Sequence, residues 1–196
     1  MKTKDEQGNA RVTPHADNEI MQEVKDGKVE KLAILFERYH VMLYNFFLRL
    51  TGNRNVSEDL VQDLFLRILK YRASYQSHGK FTIWMYQIAR NAHIDYLRKQ
   101  KDEAPLEQGW DQALSRERLP EEELETGQEI ARVRQALDKL SLKKKEILLL
   151  SRFQNLKYRE IAELLGCQEG SVKTTVHRAL KELGKFYFEL SGGITS

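Results

Sequence analysis

Six side chains near the C-terminal end, Ser171, Lys173, Thr174, His177, Arg178 and Lys181, fall on one side of a segment at helical spacing. Val172, Val176, Ala179, Leu180 and Leu183 fall on the other. Hydroxyls and lysines near the start of such a helix suit phosphate oxygens, and an arginine such as Arg178 can span a phosphate or the paired acceptors of a guanine edge. Upstream, residues 158–165 read as a short amphipathic helix through Ile161, Leu164 and Leu165, with Arg159 near its start. Ala162, Gly166 and Val172 stand at helix-turn-helix spacing. The small residue lets two helices cross closely, the glycine supplies a positive φ, and the branched residue pins the second helix. Two readings fit: a helix that reads a DNA duplex, or the solvated face of a three-helix bundle. Cys167 occupies the turn where a small hydrophobe is wanted, which reads as packing rather than redox chemistry.

A second constellation lies between residues 72 and 101. Six bases, Arg72, Lys80, Arg90, Arg98, Lys99 and Lys101, oppose Asp95 alone. Gln87, Asn91 and Arg98 form a narrow polar strip between two apolar faces, one of Phe81, Trp84, Met85, Ile88 and Ala92, the other of Ile83, Tyr86, Ile94 and Leu97. The preceding loop adds Tyr75, Gln76, His78 and Lys80. Aromatics mixed with bases suit single-stranded nucleic acid, because rings stack on splayed bases while cations follow the backbone. Phe81, Trp84 and Ile88 are expected mainly in a core; Tyr75 and His78, in a loop, are the stacking candidates. A third set, Asp59, Gln62, Asp63 and Leu66, shares the side of a helix opposite its apolar residues Leu60, Val61, Leu64, Ile68 and Leu69. Leu66 among acids is either an ordinary exposed leucine or part of a docking surface for a basic partner helix.

Other chemistries find no residues to carry them. There is no glycine-rich phosphate loop and no nucleophile paired with a base, and one cysteine with five scattered histidines gives no zinc spacing. No catalytic, metal or cofactor residue is therefore expected. A lone cysteine forms no intrachain disulfide and fits a reducing cytoplasm. No apolar run approaches the roughly 20 residues of a membrane helix, and the first residues lack the apolar stretch of a secretory signal.

The elements that must position these sets are helices. Charged residues make up 31% of 196, and the three prolines, Pro14, Pro105 and Pro120, lie outside the periodic segments. An all-α fold is expected, with two small helical domains joined by an acidic linker. Residues 1–16 read as a polar disordered tail, 17–100 as an N-terminal helical bundle, 101–128 as linker, 129–190 as a helix-turn-helix domain and 191–196 as a second tail. Asp17 or Asn18 is expected to cap the first helix, Gly52 to stop the second, and Asn55 or Ser57 to cap the third. Net charge is +3, but residues 102–129 carry −8, leaving +11 on the remainder. A basic body with an acidic middle predicts a polyanion partner and a segment that avoids or imitates it.

Taken in order, these pieces resemble the bacterial RNA polymerase sigma factors of the extracytoplasmic-function branch of the sigma-70 family. "SEDLVQDLFLRILK" is similar to that family's polymerase-binding helix, "FTIWMYQIARNAHIDYLRK" to its −10-melting segment, and "LKYREIAELLGCQEGSVKTTVHRALKEL" to its −35-reading helix-turn-helix. The resemblance covers about residues 17–190. It implies that Asp59, Gln62, Asp63 and Leu66 grip a coiled coil on the largest subunit of core RNA polymerase. Tyr75, His78, Lys80, Gln87, Arg90, Asn91, Arg98 and Lys99 would capture the unpaired −10 strand. Arg159, Ser171, Lys173, Thr174, His177, Arg178 and Lys181 would sit in the −35 major groove, with the second domain on the polymerase flap. It further implies an anti-sigma partner, no membrane insertion and a cytoplasmic location. The family's two promoter elements lie roughly 60 Å apart, nearly two duplex turns. A free coil of about 27 residues averages only ~25–30 Å end to end, so the linker must be held extended to bridge them. Its −8 charge would suit a basic channel, although a solubilising spacer has the same composition. The competing function is a self-sufficient helix-turn-helix regulator, which would need a dimer surface and palindromic half-sites.

Overall fold

A computed structural model of the chain describes residues 14–103 and 124–192. Among them are eight α-helices and no strand: α1 (Pro14–Lys25), α2 (Leu32–Thr51), α3 (Arg54–Tyr71), α4 (Phe81–Glu103), α5 (Leu124–Asp138), α6 (Leu142–Arg152), α7 (Tyr158–Leu165) and α8 (Glu169–Leu190). The all-α expectation holds. The boundaries shift where helices outrun their composition. α1 begins at Pro14, a residue suited to a helix start because its missing N–H would have no helical partner there. α4 continues three residues beyond 100, and α5 starts at Leu124, inside the stretch expected to be linker. Most of that linker, with Glu121, Glu122 and Glu123, lies outside the described residues, as do tail residues 1–13 and 193–196.

The N-terminal bundle forms because its apolar residues return every three or four positions. α2 buries Leu35, Tyr39, Leu43, Phe46, Phe47 and Leu50, and α3 buries Leu60, Val61, Leu64, Phe65 and Ile68. Gly52 ends α2 in the left-handed region at φ 70°, with its amide donating to the Leu48 carbonyl at 2.9 Å. The cap of α3 is neither Asn55 nor Ser57 but Asn53, whose backbone is extended and whose side-chain oxygen accepts from the Val56 amide at 3.1 Å. Ser57 is instead buried and bonds back to the Asn53 carbonyl at 2.5 Å. Asp17 and Asn18 likewise lie inside α1 rather than capping it, and their side chains reach other elements.

α4 runs through the middle of the molecule. It buries Phe81, Ile83, Met85, Tyr86, Ile88, Ala89, Ala92 and His93, residues from more than one side, because α1, α3 and α7 all pack on it. In the C-terminal half, α8 packs on α5, α6 and α7 through Val172, Val176 and Ala179. α6 buries six consecutive residues, Lys145 to Leu150. No single helix face holds six residues in a row; α6 is covered by α8 on one side and meets α2 on another.

Candidate nucleic-acid interface

The turn before α8 is built as its sequence demands. Gly166 adopts φ +62°, and the Cys167 and Gly166 amides donate to the carbonyls of Ala162 (3.0 Å) and Glu163 (3.3 Å), closing α7 with the paired bonds of a Schellman end. Ala162 and Val172 are both buried where the helices cross. Ser171, Lys173, Thr174, His177, Arg178 and Lys181 all face solvent along α8, and Arg159 is exposed at the start of α7. Among the described residues, none of Lys173, Arg178 and Lys181 is held in an ion pair. Thr174 donates its hydroxyl to the Gly170 carbonyl at 2.9 Å, which leaves its oxygen free to accept. Two details differ from expectation. Leu180, placed on the inner side by spacing, is exposed, and Cys167 is exposed rather than packed in the turn.

The upstream set is divided. His78, Lys80, Gln87, Asn91, Arg98 and Lys99 are exposed. Tyr75 is not: it is 1% exposed, its hydroxyl donates to Asn18 Oδ1 at 3.0 Å, and its ring lies edge-on to Trp84 at 5.2 Å. Burial, with Asp17 nearby, pushes its phenol up to about 12. Tyr75 is therefore core and cannot serve as the stacking ring expected of it. The exposed ring on this side is Tyr71, overlooked because it sits at the end of the α3 pattern; Lys70 stands over it at 5.3 Å. Tyr71, Arg67, Ile88, Asn91 and Asp95 line a cleft of about 290 Å³ between α3 and α4.

Two cations of this set are occupied by the C-terminal half. Lys80 pairs with Glu160 of α7, and Arg90 with Glu146 of α6 at 3.2 Å. Tyr86 donates to Gln154 Oε1 at 2.6 Å, and the Arg49 guanidinium lies 4.5 Å from the centre of the Phe153 ring. Lys145 donates to the Leu50 carbonyl at the end of α2 (3.2 Å) and to Asp138 (2.6 Å). Burial pushes the Glu146 carboxyl up against the pull of Arg90. Burial also raises that of Glu160, but the bonds from Lys80 and from the Lys157 amide outweigh it and hold the group low. His93, 3% exposed, is pushed down to about 4 by burial and then by Lys145.

On α3, Asp59, Gln62 and Leu66 project into solvent, Leu66 at 67% exposure. Asp63 is half-buried because Arg67 donates to it at 2.8 Å while also bonding Asp95 of α4 at 2.6 Å. The described residues hold no cluster of metal-binding side chains and no helix long and apolar enough to cross a membrane.

Residues 35–103 match the family model described as Sigma-70 region 2, and residues 130–183 the one described as Sigma-70, region 4. The RNA polymerase sigma factor YlaC of Bacillus subtilis is 34% identical over 160 residues, 77% of this chain and 88% of the relative. The chain belongs to the sigma-70 family of RNA polymerase sigma factors, in its extracytoplasmic-function branch. The ECF RNA polymerase sigma factor SigX of the same bacterium is 30% identical over 161 residues, 80% of this chain and 83% of its own. Among solved structures, CnrH, in complex with the cytosolic domain of CnrY, aligns with a TM-score of 0.67 at 22% identity, covering 87% of this chain and 96% of that one. The shared fold is thus two helical sigma domains. As a sigma factor, the protein binds core RNA polymerase and directs promoter-specific initiation of transcription. The family consists of DNA-binding initiation factors.

Proposed function

We propose that this sigma factor divides its work among three outward-facing sets on separate helices. Residues 129–190 read the −35 element as duplex, through Arg159, Ser171, Lys173, Thr174, His177, Arg178 and Lys181. Residues 17–100 hold the unpaired −10 strand through His78, Lys80, Gln87, Arg90, Asn91, Arg98 and Lys99, with Tyr71 in place of Tyr75 as the exposed ring. Asp59, Gln62, Asp63 and Leu66 dock core polymerase. The observation that carries this reading is the unpaired, solvent-facing basic side of α8, displayed by a helix-turn-helix whose opposite side buries Val172, Val176 and Ala179. Cations without internal partners are available to phosphates, and a helix of this width enters a major groove.

The chain supplies recognition and strand capture and leaves the chemistry to the polymerase; it is not an enzyme. Working with polymerase and promoters places it in the cytoplasm. An anti-sigma factor is proposed as a regulatory partner, on the precedent of a Bartonella quintana sigma factor in complex with the anti-sigma factor NepR. Reconstitution tests the whole reading. Full-length protein mixed with core polymerase and a promoter should bind core and confer transcription, while binding duplex DNA poorly alone. Tight, sequence-specific duplex binding without polymerase would instead identify an independent regulator.

A further inference from the structure

α1 touches neither DNA nor polymerase in the reading above, yet two of its polar side chains, Asn18 and Lys25, are committed to the loop that does. Asn18 makes three hydrogen bonds, all to residues 75–81. Its Nδ2 donates to the Gly79 carbonyl at 2.9 Å. Its Oδ1 accepts from the Phe81 amide at 2.8 Å and from the Tyr75 hydroxyl at 3.0 Å. Lys25, seven residues further along and so on the same side two turns later, donates from Nζ to the Tyr75 carbonyl at 2.6 Å.

The helix offering these bonds is itself fixed. Asp17 is buried and accepts from Arg38 Nη1 and Tyr39 Oη of α2, each at 2.5 Å. Met21 and Val24 are fully buried on its apolar side. The loop, by contrast, has little of its own to hold it. Gln76, Ser77 and His78 are exposed, and the turn is closed by a long bond from the Gly79 amide to the Gln76 carbonyl, 3.4 Å. Lys80, immediately before α4, has no side-chain oxygen for the first amides of that helix, which a capping residue normally satisfies. Asn18 serves the first of them from 63 residues away.

We infer that Asn18 is a positioning residue for strand capture: it holds the 75–80 loop in the shape that presents His78 and Lys80 to the unpaired −10 strand. This rests on the assignment of His78 and Lys80 to that strand. The loop's ordering is then complete before DNA arrives. Without Asn18 it falls on the binding step and weakens capture.

The test uses holoenzyme assembled from full-length protein and core polymerase. The probe is a fluorescent single-stranded oligonucleotide carrying the non-template −10 sequence of a promoter whose transcript requires this protein. Asn18→Ala should weaken oligonucleotide binding on the order of tenfold and speed hydrogen exchange at the Gly79 and Phe81 amides. Core affinity should not change. Asn18→Asp keeps both acceptor bonds and loses the donation to Gly79, so it should fall between wild type and Asn18→Ala. His78→Ala and Lys80→Ala serve as benchmarks and should each weaken binding. If the benchmarks weaken binding and Asn18→Ala does not, the inference is wrong and the strand assignment stands. If neither benchmark weakens it, the strand assignment fails and the inference with it. Equal losses of oligonucleotide and core affinity in Asn18→Ala, with no recovery in Asn18→Asp, would mean general destabilisation and overturn positioning.

Discussion

Arg178 and Leu66 are both exposed, on helices in opposite halves of the chain, and single substitutions at them should separate two functions. Arg178→Ala removes a cation that has no internal partner, so the fold loses nothing measurable. The loss should appear as weaker −35 recognition, about 1–3 kcal/mol for a side chain that contacts a base edge. Transcription by the reconstituted holoenzyme from promoters with intact and altered −35 elements checks this, with core affinity unchanged. Leu66→Lys should do the reverse. At 67% exposure the leucine contributes little to the bundle, so unfolding free energy should move by no more than about 0.5 kcal/mol. Affinity for core polymerase should fall, because the lysine faces a basic partner. Asp63→Arg is a less clean probe, since the new cation would also oppose Arg67, which now bonds Asp63 at 2.8 Å. Were Leu66→Lys to leave core binding intact, the polymerase surface would have to be sought elsewhere on the bundle.

At the scale of elements, the turn of the helix-turn-helix rests on one backbone conformation. Gly166 sits at φ +62° with open space around the position a Cβ would take. A substitution there meets backbone strain and no clash. Gly166→Val should therefore destabilise the C-terminal domain by about 1–2 kcal/mol, more than Gly166→Asn, whose residue type tolerates the left-handed region. Thermal unfolding of the three proteins gives the ranking. Such signals were legible from residue types: Gly52 and Gly166 end helices where they were expected to, and the spacing of 158–165 is the span of α7. Other features depend on partners distant along the chain. The cap of α3 fell on Asn53 because its oxygen, and not that of Asn55, meets an unpaired amide. Tyr75 reads as a loop tyrosine, and only the arrival of α1, carrying Asn18 and Lys25 from 57 and 50 residues away, turns it inward. The all-round burial of α6 is illegible for the same reason, since periodicity reports one partner surface and α6 has several. The exposed sets on α3 and α8 were readable because nothing among the described residues comes to cover them.

At the scale of the whole molecule, the buried apolar residues of the two halves form one continuous cluster, and charged and polar groups pair across it as well. Lys80 and Arg90, assigned to the −10 strand, face carboxylates of the opposite half in place of phosphates. On the proposed assignment, the −10 strand and Glu146 and Glu160 compete for the same cations. Substituting both, Glu146→Gln with Glu160→Gln, should raise the free protein's affinity for single-stranded −10 DNA several-fold, and the gain should shrink as added salt screens the exposed Lys80 pair. His93 makes the same contact sensitive to acid. It is buried on α4 beside Lys145 of α6, and its imidazole titrates near 4 instead of 6.5. The folded state therefore holds it neutral while the unfolded chain takes up a proton below about pH 6.5. Its contribution to stability is complete above that value and is lost as pH falls toward 4, in total on the order of 3 kcal/mol. Glu146, whose carboxyl is raised, works in the opposite direction, because its protonation in the fold relieves a buried charge as pH falls. Comparing wild type with His93→Gln cancels that opposing contribution. Denaturant unfolding between pH 8 and pH 4 should show the wild type losing more stability than the variant as pH falls, with the two curves parallel above pH 7. Parallel curves throughout would mean that His93 is not held neutral in the folded protein.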